Sequence, residues 1–140
     1  MTSASGVTGL ATRPLYDSTD SLLRFAMRAD ATLTGLGGLA VALFADPISS
    51  LTGLTSIQEY AMGAFFVLYG LAVFSLAALP NLRRAGIGVV VANLVYTLAA
   101  IAAAEVVPMT AAGVAAMLAS GAYTAGFAWL QYLGVRRLET

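Results

Sequence analysis

A carboxylate set among apolar residues is a candidate for proton or ion chemistry, and Asp30 is such a residue. It ends the stretch SLLRFAMRAD (21–30), which runs straight into ATLTGLGGLAVALFA (31–45). Arg24 and Arg28 are four apart and share one face of a helix. At 3.6 residues per turn, Asp30 lies about 160° around from Arg28, toward Leu23, Met27 and Thr34. Long arginines reach lipid headgroups from within a slab edge, whereas a short carboxylate needs a cation or hydrogen-bond donors close by. We read Asp30 as a structural ion-pair residue, partnered by an arginine of the 83–84 or 136–137 pairs. The alternative is a proton or ion site.

Asn93 is the second chemical candidate. It falls mid-way along an apolar run, with Tyr96 and Thr97 on the same side. A mid-membrane amide is costly unless bonded across helices. Tyr69 and Tyr123 are the expected partners, with a ligand contact as the alternative. Asp46, Glu59 and Glu105 would suit a divalent cation only if they converged, and their spacing gives no sign of it. We read them as solvated loop acids. The chain has neither Cys nor His. That removes thiolate sites, the commonest metal ligand and the usual general base. Gly35, Gly37 and Gly38 follow no strand and precede no lysine, so they read as helix packing and not as a phosphate loop. No cofactor is expected.

The elements that must position these residues are long apolar runs. Of the 140 residues, 59% are hydrophobic and 10% are charged, against roughly 25% charged in soluble domains. Four spans are expected, over about 22–45, 60–79, 85–104 and 111–135. Each approaches the roughly 20 apolar residues that cross a bilayer. The first borrows a turn or more from LRFAMRAD, because residues 31–45 alone make about 22 Å of helix. DPISSLTGLTS (46–56) is expected to be a turn-rich loop. Residues 1–21 read as a flexible polar tail without a secretory apolar region, and 22–138 as the membrane domain. The fourth span carries a small residue at every fourth position, at Ala112, Ala116, Ser120, Thr124 and Ala128, a stripe that invites close helix packing, either within the bundle or with a partner helix.

All seven positive charges are arginines, at 13, 24, 28, 83, 84, 136 and 137. They fall on one side of a four-span chain, while the other side holds Asp46, Glu59 and Glu105. The positive-inside rule places the arginine side, and with it both termini, in the cytoplasm. Trp129 and Tyr132 precede Arg136 as aromatic-belt residues do. The net charge is zero, so nothing argues for nucleic acid. Arginine without lysine in an alanine-rich chain is the usage of a GC-rich bacterial genome, hence a bacterial inner membrane.

LRFAMRADATLTGLGGLA entering the first span and LQYLGVRR leaving the fourth resemble a family of small bacterial, actinobacterial-type four-span integral membrane proteins of undefined activity. The resemblance covers residues 22–138. It implies an all-α, compact four-transmembrane-helix bundle and supplies no catalytic residue.

Without a nucleophile–base pair, metal cluster or cofactor motif, no enzyme is expected. The leading expectation is a non-catalytic accessory or assembly subunit of a larger membrane complex, such as a respiratory complex. Its partners would be the lipid bilayer and other membrane subunits or further copies of itself. The alternative is a homo-oligomeric small transporter or permeation protein, using Asp30 and Asn93.

Overall fold

The computed structural model describes residues 19–138. The tail expected over 1–21 falls, up to residue 18, outside the described residues, as does Arg13. Ser21 already belongs to the first helix. Among the described residues five helices follow one another: α1 Ser21–Leu43, α2 Ala45–Thr52, α3 Ser56–Leu76, α4 Arg83–Val106 and α5 Ala111–Arg137. No strand occurs among the described residues. Helices α3, α4 and α5 are each long and apolar enough to cross a membrane, and α1 with α2 supplies a fourth span if that bent pair counts as one. Large apolar side chains point outward all around α1, α3 and α4, among them Leu36, Phe65, Leu68 and Leu98. A water-soluble monomer rarely presents so much contiguous apolar surface.

The loop expected over 46–56 is a correction. Its first half is helix α2, which turns 90° away from α1. Pro47 does not prevent this, because it sits in the first turn, where a missing N–H has no helical partner to lose. Gly53 ends α2 at φ +83°, and its N–H bonds to the Ser49 carbonyl. Thr55 then starts α3 with a reciprocal cap. Its hydroxyl accepts from Gln58 N at 3.0 Å, and Gln58 Oε1 accepts from Thr55 N at 2.9 Å.

The bundle is two hairpins. α1 pairs with α3, α4 pairs with α5, and α1 joins the two by packing on α5. The α1–α3 seam is glycine-tight. A Cβ on Gly63 would lie 2.5 Å from the Gly38 carbonyl, and one on Gly70 would lie 2.6 Å from the Ala31 carbonyl. Gly35 and Gly38 therefore do pack against a neighbour, whereas Gly37 meets nothing within 4 Å.

The arginine end holds the apolar core of Leu23, Met27, Ala31, Val73, Ala77, Leu82, Val89 and Val135. The start of α1, the start of α4 and the end of α5 meet there, since Leu23 lies against both Gly86 and Gly134. Arg24 adds the end of α3, donating to the carbonyls of Ala77 at 2.6 Å and Leu79 at 3.0 Å. These are carbonyls that a helix terminus leaves without intrahelical donors. Arg24 also pairs with Asp20 at 2.7 Å, while Arg28 is exposed. At the opposite end Thr110 caps α5 and bonds back to α2. Its N–H donates to Thr52 O at 2.9 Å and its hydroxyl to Leu51 O at 2.6 Å.

Candidate functional site

Asp30 is completely buried, about three turns into α1. Its position on α1 aims it at the line where α3, α4 and α5 converge. Four uncharged donors hold it. Tyr69 Oη donates to Oδ2 at 2.9 Å, Asn93 Nδ2 to Oδ2 at 3.0 Å, and Gln131 Nε2 to Oδ2 at 2.9 Å. Thr34, one turn along α1, donates to Oδ1 at 2.8 Å. Every one of the four long helices thus contributes a donor.

The expected ion pair with Arg83, Arg84, Arg136 or Arg137 is not what holds this carboxylate. The hydrogen-bond partners of Asp30 are the neutral side chains of Thr34, Tyr69, Asn93 and Gln131. The reason is depth. Those arginines sit at the helix ends, while Asn93 and Gln131, which meet Asp30, lie about 7.5–15 Å inside them at 1.5 Å per residue. Amide and hydroxyl donors on the neighbouring helices lie at that level and the guanidinium groups do not.

Asn93, 2% exposed, is correctly a buried interhelical amide. Its Nδ2 donates to Asp30 and to Gln131 Oε1, the latter at 2.8 Å; of the expected tyrosines, Tyr69 meets it at the shared acceptor Asp30 Oδ2 and Tyr123 bonds Thr34. Both amide hydrogens are thereby engaged, and Gln131 uses its own NH₂ on Asp30. Gln131, fully buried, was not anticipated. The signal was a lone amide inside FAWLQYLGV.

Hydroxyls continue the network away from Asp30. Thr34 gives its hydrogen to Asp30, so Tyr123 Oη, 2.9 Å away, is the donor to Thr34 Oγ1. Ser120 gives its hydrogen to the Met117 carbonyl, so Tyr96 Oη donates to Ser120 Oγ at 2.9 Å. Thr97 and Thr124 share a 2.7 Å bond between α4 and α5. Among the described residues no buried side-chain polar atom lacks a partner.

Two spaces adjoin this network. A cavity of about 60 Å³ lies between α1, α3, α4 and α5, walled by Thr34, Phe66, Tyr69, Asn93, Tyr96 and Thr124. That is room for a few water molecules. A cleft of about 370 Å³ shares Thr34, Phe66, Tyr96 and Thr124 with it and opens between Leu33, Gly37 and Val41 of α1 and Ala119, Ser120 and Tyr123 of α5.

The α5 stripe, which in sequence suits either the bundle itself or a partner helix, is divided between an inward and an outward face. Thr124 and Ala128 are buried and Ser120 is half-buried, but Ala112 and Ala116 are exposed. A spacing of four advances about 40° per step on a helix of 3.6 residues per turn, so the stripe winds from the outside to the inside. The face that packs inward alternates steps of three and four, through Gly121, Thr124, Ala128, Gln131 and Val135. Glu59 is a second correction. It is 3% exposed, and it accepts from Thr52 Oγ1 at 2.6 Å where α2 folds down on α3. Asp46 and Glu105 are exposed as expected. Among the described residues no three acidic side chains gather.

Comparison with protein-family models, with curated proteins and with solved structures found no match.

Proposed function

We propose that the chain is a four-span protein of the bacterial inner membrane, arginine end and both termini cytoplasmic, that works without catalysis as an accessory subunit of a larger membrane complex. One contrast carries the assembly reading. The outward faces of α1, α3 and α4 are bulky, with exposed leucines, phenylalanines and valines along their lengths. The outward face of α5 is smooth: Ala112, Ala115, Ala116, Ala119, Ala122 and Gly126 are all exposed there, and the large exposed apolar residues of α5 are only Leu118, Trp129 and Tyr132. In lipid, helices associate where small residues let backbones approach, so the face left smooth is the face suited to a partner helix.

The placement in a membrane is supported by three apolar helices of spanning length and a fourth, bent candidate. The orientation is supported by arginines at 24, 28, 83, 84, 136 and 137, all at one end of the bundle.

Affinity purification in mild detergent tests the assembly reading. The wild type is expected to bring down a defined set of membrane subunits. Ala122→Leu fills the smooth face and should release them, while Ala99→Leu, an equal gain in volume at an exposed position of α4, should not. Purification of a homogeneous monomer or homo-oligomer, indifferent to both changes, would overturn it.

A further inference from the structure

The outward side of the α1–α3 seam carries a groove, and one turn from it stands a charge without a partner. The helices touch there backbone to backbone. A Cβ on Gly70 would lie 2.6 Å from the Ala31 carbonyl and 2.9 Å from Gly35 Cα. No side chain fills the line of contact, so the larger residues beside it stand apart. Leu36 and Leu39 of α1 lie across from Leu71 and Phe74 of α3, with Gly35 and Gly70 between them, around a groove of about 260 Å³. Along α1 it runs from Ala31 to Leu39, about 12 Å at the usual rise. Every residue that lines it is neutral.

Arg28 precedes Ala31 and Thr32 by three and four residues, on the same face and one turn nearer the arginine end. It is exposed, and among the described residues it makes no hydrogen bond or ion pair. Arg24 shows what is missing. It lies level with the end of α3 and is held by the Ala77 and Leu79 carbonyls and by Asp20. Arg28 is one turn, about 6 Å, deeper. The α3 carbonyls at that depth already serve the helix itself, as Val73 O does in accepting from Ala77 N. Asp30, the nearest acid along α1, is buried among its four donors on another side of the helix.

A guanidinium stays protonated in proteins, so the sign of this charge is fixed. A cation at the edge of the hydrocarbon slab is costly unless an anion meets it. Helical side chains lean toward the N-terminus, which for α1 is the arginine end, so Arg28 reaches out to headgroup level. Thr32, in the groove wall, presents a hydroxyl without a hydrogen-bond partner among the described residues, a donor for a phosphate or ester oxygen. The flanking leucines and Phe74 are exposed and bulky. They keep a second helix at a distance, whereas a flexible hydrocarbon chain fits between them.

We propose that this groove holds an acyl chain of an anionic phospholipid, with the lipid phosphate on Arg28. The proposal rests on the membrane placement above. A chain that fractionates with membranes but shows no lipid preference would reject the site and leave that placement standing.

The full chain in maltoside micelles is melted with added phosphatidylglycerol or phosphatidylcholine of the same acyl composition. The expected result is a saturable rise in Tm with phosphatidylglycerol, for which phosphatidylcholine needs about tenfold more lipid. Arg28→Gln should melt as the wild type does without lipid and should lose the preference. Arg84→Gln removes an equal charge from an exposed position of α4, at the same end of the bundle, and should keep it. Thr32→Phe, also at an exposed position, fills the groove and should weaken the response to both lipids. Equal responses of the wild type to the two lipids, a preference that survives Arg28→Gln, an equal loss in Arg84→Gln, or an undiminished response in Thr32→Phe would each overturn the proposal. So would a membrane subunit that co-purifies with the wild type and is released by Arg28→Gln, which would give the charge to a partner's carboxylate.

Discussion

Gln131 Nε2 donates to Asp30 Oδ2 at 2.9 Å across 101 residues of sequence, and this bond ties the last helix to the first. Its loss leaves buried donors facing nothing. Asp30→Ala removes the acceptor for Tyr69, Thr34, Asn93 and Gln131 at once and should cost about 1–3 kcal/mol or more. Asp30→Asn should cost less than half as much. Its carbonyl keeps the three donors now on Oδ2, and its NH₂ faces Thr34, whose hydroxyl turns to donate to Tyr123. Thermal melts of both variants in detergent measure the difference; equal losses would show that the charge, and not the acceptor, matters to the fold.

Gly63 in the α1–α3 seam and Gly88 on the open side of α4 should respond to alanine with opposite signs. Gly63→Ala sets a methyl against backbone atoms of Gly38 and Ala42, which cannot move aside as a side chain would. Overpacking of about 1–3 kcal/mol is expected. Gly88 meets nothing within 4 Å, so Gly88→Ala should be neutral or stabilising by up to about 1 kcal/mol through the glycine entropy term. Parallel melts check both.

Arg24 and Arg28 look alike in sequence and should behave differently. Arg24 joins α1 to the carbonyls that end α3, and Arg24→Leu should lower stability by about 1 kcal/mol or more. Arg28 is exposed, and Arg28→Leu should change Tm little. Matching effects would mean that the Arg24 contacts contribute nothing.

The elbow between α2 and α3 hangs on Thr52, whose hydroxyl donates to Glu59 and accepts from Leu54 N at 3.2 Å. Thr52→Val breaks both bonds. Amide exchange of residues 50–56 should quicken, while the Asp30 network stays protected. Uniform quickening would instead indicate that the elbow is part of the core.

Orientation is tested with reporter fusions at Thr140 and within residues 48–56. Cytoplasmic activity at the first and periplasmic activity at the second are expected. A periplasm-active reporter at Thr140 would reject the topology.

What was legible in the sequence was what period and hydropathy encode. The four long helices follow from apolar runs, and the expected starts and ends differ from the observed ones by a few residues, most at the start of α3, where Ser56–Gln58 and Glu59 are polar but capped. Asp30 and Asn93 stood out because polar groups are rare inside such runs. Their partners were not legible, because partnership depends on the rotation and depth of each helix, which hydropathy does not carry. Gln131 was overlooked beside the aromatic and arginine signals that mark the end of the same helix. Helix α2 was hidden because its Asp, Pro, Ser and Thr are turn formers that also suit a helix's first turn. The alanine stripe did not show which of its residues face the bundle, because a spacing of four is close to, but not equal to, the helical repeat.

The hydrogen bonds of Asp30 also impose an order in time. Thr34 is made with it, and Tyr69 arrives with the first hairpin. Asn93 comes only with α4, and Gln131 only near the end of α5. At about 5–20 residues per second of synthesis, the 101 residues between Asp30 and Gln131 take about 5–20 s. Throughout that interval the acid has only part of its donor set. A chain cut short before Gln131 therefore keeps a buried acid without its last amide donor.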